Sequence, residues 1–214
     1  MSYPTAWLIQ HKLMQTMTER EAQYTLCGEV LVDDAYWGGE RAGGKAGRGS
    51  ENKVPLVAAV SLNAEGHPLY TKMTPVPGFT GNALADWAKA ALASSSQVIS
   101  DGLACFTGVT AAGCYHQAIL IGLRKPNEAP ELGWVNTLLG NLKTRFSGAY
   151  HAFDFAKYGT RYLAAFAYRF NRRFHLDSLP HRLLVAAATI GPRPARWLRR
   201  AEESCYLSGP ARLC

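Results

Sequence analysis

Four side chains in this sequence have the types and spacing that phosphodiester chemistry requires: Asp33, Asp101, Asn136 and Lys143. The first two close short apolar runs, L-V-D at 31–33 and V-I-S-D at 98–101. A buried strand delivers a carboxylate to the rim of a sheet in this way. The other two lie in W-V-N-T-L-L-G-N-L-K at 134–143, which reads as helix. Seven steps of about 100° make nearly two turns, so Asn136 and Lys143 project from one face. The four together form a candidate site for divalent metal and phosphate.

Hydrolysis or transfer of a phosphodiester at neutral pH needs a deprotonated nucleophile and charge neutralisation around the phosphate. Two divalent ions about 3.5–4 Å apart provide both when carboxylates hold them and leave open positions. Mg²⁺ (or Mn²⁺) takes hard oxygen ligands and keeps several waters, so two carboxylates and one amide oxygen suffice. Asp33, Asp101 and Asn136 are the expected ligands, with Asp101 bridging both ions, and Lys143 is expected to hold a DNA phosphate as a point charge. Asp34 adjoins Asp33, and in a regular strand the two point to opposite faces, so only one is expected to enter the site. Ordinary readings stand beside these. Asp101 before Gly102 has the form of a cap or turn residue, and Asn136 before Thr137 that of a helix cap. Joint placement on strand, strand and helix raises them above those readings. His116 and His151 are candidates to assist, each otherwise a packed or surface histidine.

The positioning elements follow from periodicity and turn chemistry. Residues 2–24 open with a turn and continue as a helix whose apolar face comprises Trp7, Leu8, His11, Leu13, Met14 and Met17. Residues 29–37 read as a strand, and 54–62 with 67–76 as an antiparallel hairpin around N-A-E-G. Leu84, Trp87, Ala88, Ala91 and Leu92 recur at helical spacing in 81–93, with Trp87 as core. Strands are expected at 97–101 and 117–121, and helices at 134–146, 156–174 and 179–189. Three meandering strands followed by βαβ crossovers predict an α/β fold: a mixed five-stranded sheet flanked by helices, in RNase H-like order, with a helical basic C-terminal part. The expected division is 1–24 as an N-terminal helix, 25–175 as the catalytic domain, and 176–214 as a helix and basic tail.

The 214 residues carry a formal net charge of +7 and a pI near 9.3, which favours a polyanionic partner. Basic residues concentrate in three places. A Gly-rich loop holds Arg41, Lys45, Arg48 and Lys53, and lacks the G-K-[ST] ending of a nucleotide P-loop. The stretch 156–174 interleaves aromatics with Arg161, Arg169, Arg172 and Arg173. The segment 192–200 reads as a basic arm of low order. Lys53, Arg169, Arg172 and Arg173 join Arg41, Lys45, Arg48 and Lys143 as candidate DNA contacts. Five scattered cysteines with no C-x-x-C pair exclude a zinc ribbon and a disulfide framework and suit a reducing cytosol. Neither a signal peptide nor a membrane-length apolar run is expected.

V-D-D-A-Y-W-G-G-E, V-I-S-D-G, V-N-T-x-x-G-N-L-K, G-A-Y-H and R-Y-L-A-A-F-A-Y-R-F-N-R-R together resemble the DDE-type insertion-sequence transposases of the ISXO-like group, over residues 3–175. The resemblance implies a catalytic Asp, Asp, then Glu or Asn, with Lys seven residues later. Asp33, Asp101, Asn136 and Lys143 match the Asn variant, and Asn141 ranks second for the third position. It also implies DNA ends and target DNA as partners, a homodimer or higher oligomer on DNA, two Mg²⁺ or Mn²⁺ ions, and a bacterial cytosolic setting. Such transposases usually carry an N-terminal zinc ribbon and helix-turn-helix. S-Y-P-T-A-W resembles the end of a recognition helix, so the chain reads as N-terminally truncated, leaving backbone contacts for the basic segments. Two other readings remain open: a non-catalytic DNA-binding remnant, and a related RNase H-like nuclease acting on hybrids or junctions.

Overall fold

The computed structural model describes residues 1–38, 53–120, 130–150, 153–200 and 211–212. In chain order the elements are α1 (Tyr3–Glu21), β1 (Tyr24–Thr25), β2 (Glu29–Trp37), β3 (Val54–Leu62), β4 (Pro68–Pro75), α2 (Gly81–Ala91), β5 (Gln97–Ser100), a 3₁₀ segment (Ala104–Ala112) and β6 (Tyr115–Ala118). Then come α3 (Gly133–Ala149), α4 (Phe155–Phe170), α5 (Leu179–Thr189), α6 (Ala195–Leu198) and β7 (Ala211–Arg212), which pairs with β1. Local chemistry sets the boundaries. The Asn63 side chain accepts from the backbone N–H groups of Glu65 and His67 and closes the β3–β4 turn. Thr80 and Asp154 accept from Ala83 and Lys157 N–H and cap α2 and α4.

The main sheet has the order β4-β3-β2-β5-β6, antiparallel across β4, β3 and β2 and parallel across β2, β5 and β6. This is an RNase H-like mixed sheet, as the element order predicts. Strand alternation divides its core in two. Val30, Val32 and Val98 pack with Leu84, Trp87, Ala88 and the 3₁₀ segment's Phe106 on one face. Leu31 and Ile99 pack with Val135, Leu138, Leu142 and Phe146 of α3 on the other. Trp87 is fully buried, as expected of core. The last strand is Tyr115–Ala118 rather than 117–121. Its pairing to β5 runs through exposed residues at the sheet's rim, where apolar alternation carries no signal.

Helix α1 docks on α4 through a largely polar interface. His11, Gln15 and Glu21 are buried, whereas Leu13 is exposed. Arg161, buried to 1% exposure, donates from Nε to Gln15 Oε1 (2.9 Å) and from Nη1 to His11 Nδ1 (3.3 Å) and the Leu198 carbonyl (2.7 Å). The segment 192–200 is therefore not a loose arm. Leu198 is fully buried, Arg193 pairs with Glu19 at 2.8 Å, and the Arg199 guanidinium lies over Trp7 at 4.3 Å. The predicted apolar face of 2–24 missed these partners because they lie 146 to 192 positions away.

Because an arginine N–H can only donate, His11 Nδ1 must be an unprotonated acceptor. Burial first, then Arg161 and Arg199, lowers the His11 pKa to about 4. The unfolded chain then takes up this proton near pH 6.5 while the native one does not. Stability from this group is complete above pH 6.5 and falls as the pH drops toward 4, by up to about 3 kcal/mol. Urea unfolding at pH 7, 6 and 5 should show that slope in the wild type, and a shallower one in His11→Gln.

In the R-F-N-R-R stretch at and beyond the end of α4, two of the three arginines have internal partners. Arg172 Nη1 bonds Glu21 at 2.6 Å and its guanidinium covers Tyr168 at 3.7 Å. Arg173 donates to the carbonyls of Pro68, Leu69 and Phe170. Asn171 accepts from Thr71 N–H (2.7 Å) and donates to Thr71 C=O (3.1 Å) and Glu21 (2.7 Å). Arg173 thus spends both terminal nitrogens on internal carbonyls and Arg172 spends one, Nη1; Arg169 is exposed. Asn171→Ala should cost about 1–3 kcal/mol, since it strands a buried N–H and carbonyl. A lowered urea midpoint at unchanged m-value would register this.

Candidate metal and phosphate site

Register brings the two predicted aspartates together. Leu31 on β2 pairs with Ile99 on the parallel β5, and both side chains lie on the α3 face. Two residues further on along each strand, Asp33 and Asp101 return to that same face on neighbouring strands. Each of Asp33, Asp34 and Asp101 contributes a carboxylate oxygen to a group in which all lie within 4.8 Å of one another, and all three residues are half-buried. Asp34 is the departure from alternation. Its backbone N–H turns to Asp33 Oδ1 at 2.9 Å, and its carboxylate joins the cluster instead of leaving by the far face. β2 keeps an unbroken register through Asp33 and Asp34, so the apolar pattern carries no mark of this placement.

Asp101 is held by the turn that follows it. Its Oδ1 accepts from Leu103 N–H at 3.1 Å, and Gly102 N–H reaches Ser100 Oγ at 3.4 Å. Gly102 has φ +87°, and a Cβ there would stand 2.8 Å from Leu120 Cδ2. The S-D-G sequence is thus a conformational requirement as well as a chemical one. His116 Nε2 and Ser100 Oγ are 2.9 Å apart, and burial lowers the His116 pKa. His116 therefore steadies the residue before Asp101, on the α2 face with Val98.

Helix α3 runs in the direction of β2. Near its start the Trp134 indole N–H donates to Gly66 C=O in the β3–β4 turn at 2.8 Å. Toward its end Phe146 meets Trp37, the last residue of β2, at 4.9 Å between ring centroids. Asp33 pairs with Ala58, five residues before Asn63, which places it about 17 Å along the strand from that turn. Asn136 follows Trp134 by two residues, and Lys143 lies about 10 Å further along the helix axis. Lys143 is exposed, as is Asn141, and Asn136 is half-buried. Of the predicted set, Asp33 and Asp101 meet and Asp34 joins them, while Asn136 and Lys143 lie on α3, which packs over the same face of the sheet.

Lys53 is half-buried at the start of β3. Arg41, Lys45, Arg48 and His151 lie outside the described residues. Among the described residues no helix is long and apolar enough to cross a membrane.

An RNase H-like sheet with carboxylates meeting at the ends of its parallel pair of strands defines a class of nucleic-acid-processing domains. Within that class, residues 25–171 match the family of ISXO2-like transposase domains, and the chain belongs to that family. A comparison with curated proteins finds no match.

Proposed function

We propose that this chain performs metal-dependent cleavage of DNA strands and their transfer during movement of an insertion sequence. The cluster of Asp33, Asp34 and Asp101 oxygens within 4.8 Å is the observation that carries this reading. Three hard anionic oxygens so close repel one another, and a divalent cation such as Mg²⁺ or Mn²⁺ relieves that repulsion, so the donor set fits. When bound, the ions would lower the pKa of a water or 3′-hydroxyl and neutralise charge on the phosphate.

The residues of the chain do the rest. Asp33 and Asp101 hold the cations from adjacent strands, with Asp101 fixed by Leu103 N–H. Asp34 supplies the third oxygen. The resemblance gives that position to Asn136, on the helix that covers the same face of the sheet. Lys143, exposed on α3, places a cation beside the incoming backbone. In-line attack then depends mainly on positioning and electrostatics.

The test is a labelled-oligonucleotide assay for nicking and joining in Mg²⁺, with element ends and target supplied. Joined products that vanish in Asp101→Asn support the proposal. DNA binding with no response to divalent ions indicates a non-catalytic remnant, and hybrid or junction cleavage without joining indicates a nuclease; either would overturn it.

A further inference from the structure

We propose that the cleft between α1, β4 and the α4–α5 connection is a second nucleic-acid contact, seating a backbone phosphate away from the carboxylates. It rests on the reading of the chain as a DNA-processing protein. Tyr24 and Tyr70 wall the cleft, and Arg172, His175 and Arg182 line it together with Glu21. The charged groups that bear on the Tyr168 hydroxyl are three cations, Arg20, Arg172 and Arg182, against the one carboxylate of Glu21. Local charge is therefore positive after the Arg172–Glu21 pair has formed.

Donors remain for an anion. Arg172 uses Nη1 for both Glu21 and the Tyr168 carbonyl, and its Nε and Nη2 make no hydrogen bond among the described residues. Arg182 is exposed and is oriented by one bond, from Nε to Ser178 Oγ at 3.1 Å, which leaves its terminal nitrogens to reach outward. Arg20 lies over Tyr24 at 5.2 Å and flanks the opening. Guanidinium forks on a wall of aromatic rings suit a phosphate with its sugar and base better than a compact free anion.

Position favours the same occupant. Tyr70 N–H meets Ser61 Oγ, and Ser61 is three residues along β3 from Ala58, the partner of Asp33. The cleft is then about 10 Å along the strands and about 10 Å across two strand spacings from the carboxylates.

The test measures anisotropy of a labelled DNA duplex against the full chain over a salt series. Arg182→Ala should lower the slope of log K against log salt by about 1, and Arg20→Ala with Arg182→Ala by about 2. Arg182→Lys should restore the slope, which a purely structural role would not predict. Mn²⁺ binding should be unchanged in all three, which separates this proposal from that of the carboxylate site. Slopes equal to the wild type in both alanine variants would overturn it. So would Arg182-dependent thermal stabilisation by inorganic phosphate without any change in the DNA slope, which would mark a free-anion site.

Discussion

Asp101→Asn is expected to weaken Mn²⁺ binding by at least about 100-fold, because even residues that only orient metal ligands cost 10–100-fold when changed. Strand joining should fall by at least about 10³-fold, or about 4 kcal/mol of transition-state stabilisation. Asparagine is the informative replacement. Its amide oxygen can still accept from Leu103 N–H, so the turn at Gly102 survives while the charge is lost. Calorimetry and paramagnetic broadening with Mn²⁺ read the first effect, and the joining assay reads the second. Equal binding by wild type and variant would remove the metal from Asp101. Asn136→Ala settles the third position: a loss like that of Asp101→Asn places Asn136 in the working site, and full retention leaves the role to Asp34.

Arg161→Met should cost about 3–5 kcal/mol of folding stability, the largest loss expected from any single side chain away from the carboxylates. Methionine approximates the length of the stem and fills the space, so the effect isolates the guanidinium. Three acceptors lose their donor: Gln15 Oε1, His11 Nδ1 and the fully buried Leu198 carbonyl. Each stranded group costs about 1–3 kcal/mol, and relaxation recovers part of the sum. The rings of Tyr158 and Trp197 also lose a cation at 5.7 and 5.6 Å. A second signature should accompany the first. Without Arg161 nearby the His11 pKa rises, so the acid-side decline in stability still begins near pH 6.5 but ends at higher pH and is smaller in total. A midpoint within about 1 kcal/mol of wild type would show that α1 and α6 are held by something else.

The fold was readable because its strands follow the rules that sequence pattern reports. Leu31 and Ile99 announce buried strands, Asn63 closes the hairpin in both reading and structure, and Trp87 falls where helical spacing puts core. The two aspartates were readable for the same reason, since each ends an apolar run. Asp34 was hidden because alternation along a strand assigns it to the face opposite Asp33, and its carboxylate nonetheless lies with the cluster. The placement of Asn136 was hidden too. Helical periodicity fixes which residues share a face, but contacts distant in sequence, Trp134 with the Gly66 carbonyl and Phe146 with Trp37, set where that face meets the sheet. Arg172 and Arg173 read as DNA contacts because charge is visible in sequence, whereas the carbonyls of Pro68 and Leu69 that consume one of them are not.

Asn171 has a consequence for assembly. Its amide offers Thr71 both an acceptor and a donor, as the backbone of another strand would, and Arg173 occupies the carbonyls of Pro68 and Leu69 beside it. An unpaired sheet border invites a second chain to add itself, by swapping or by aggregation. Here one amide and one guanidinium close that border between Pro68 and Thr71. Copies of this chain that gather on DNA would then not meet by adding strands to this stretch of β4.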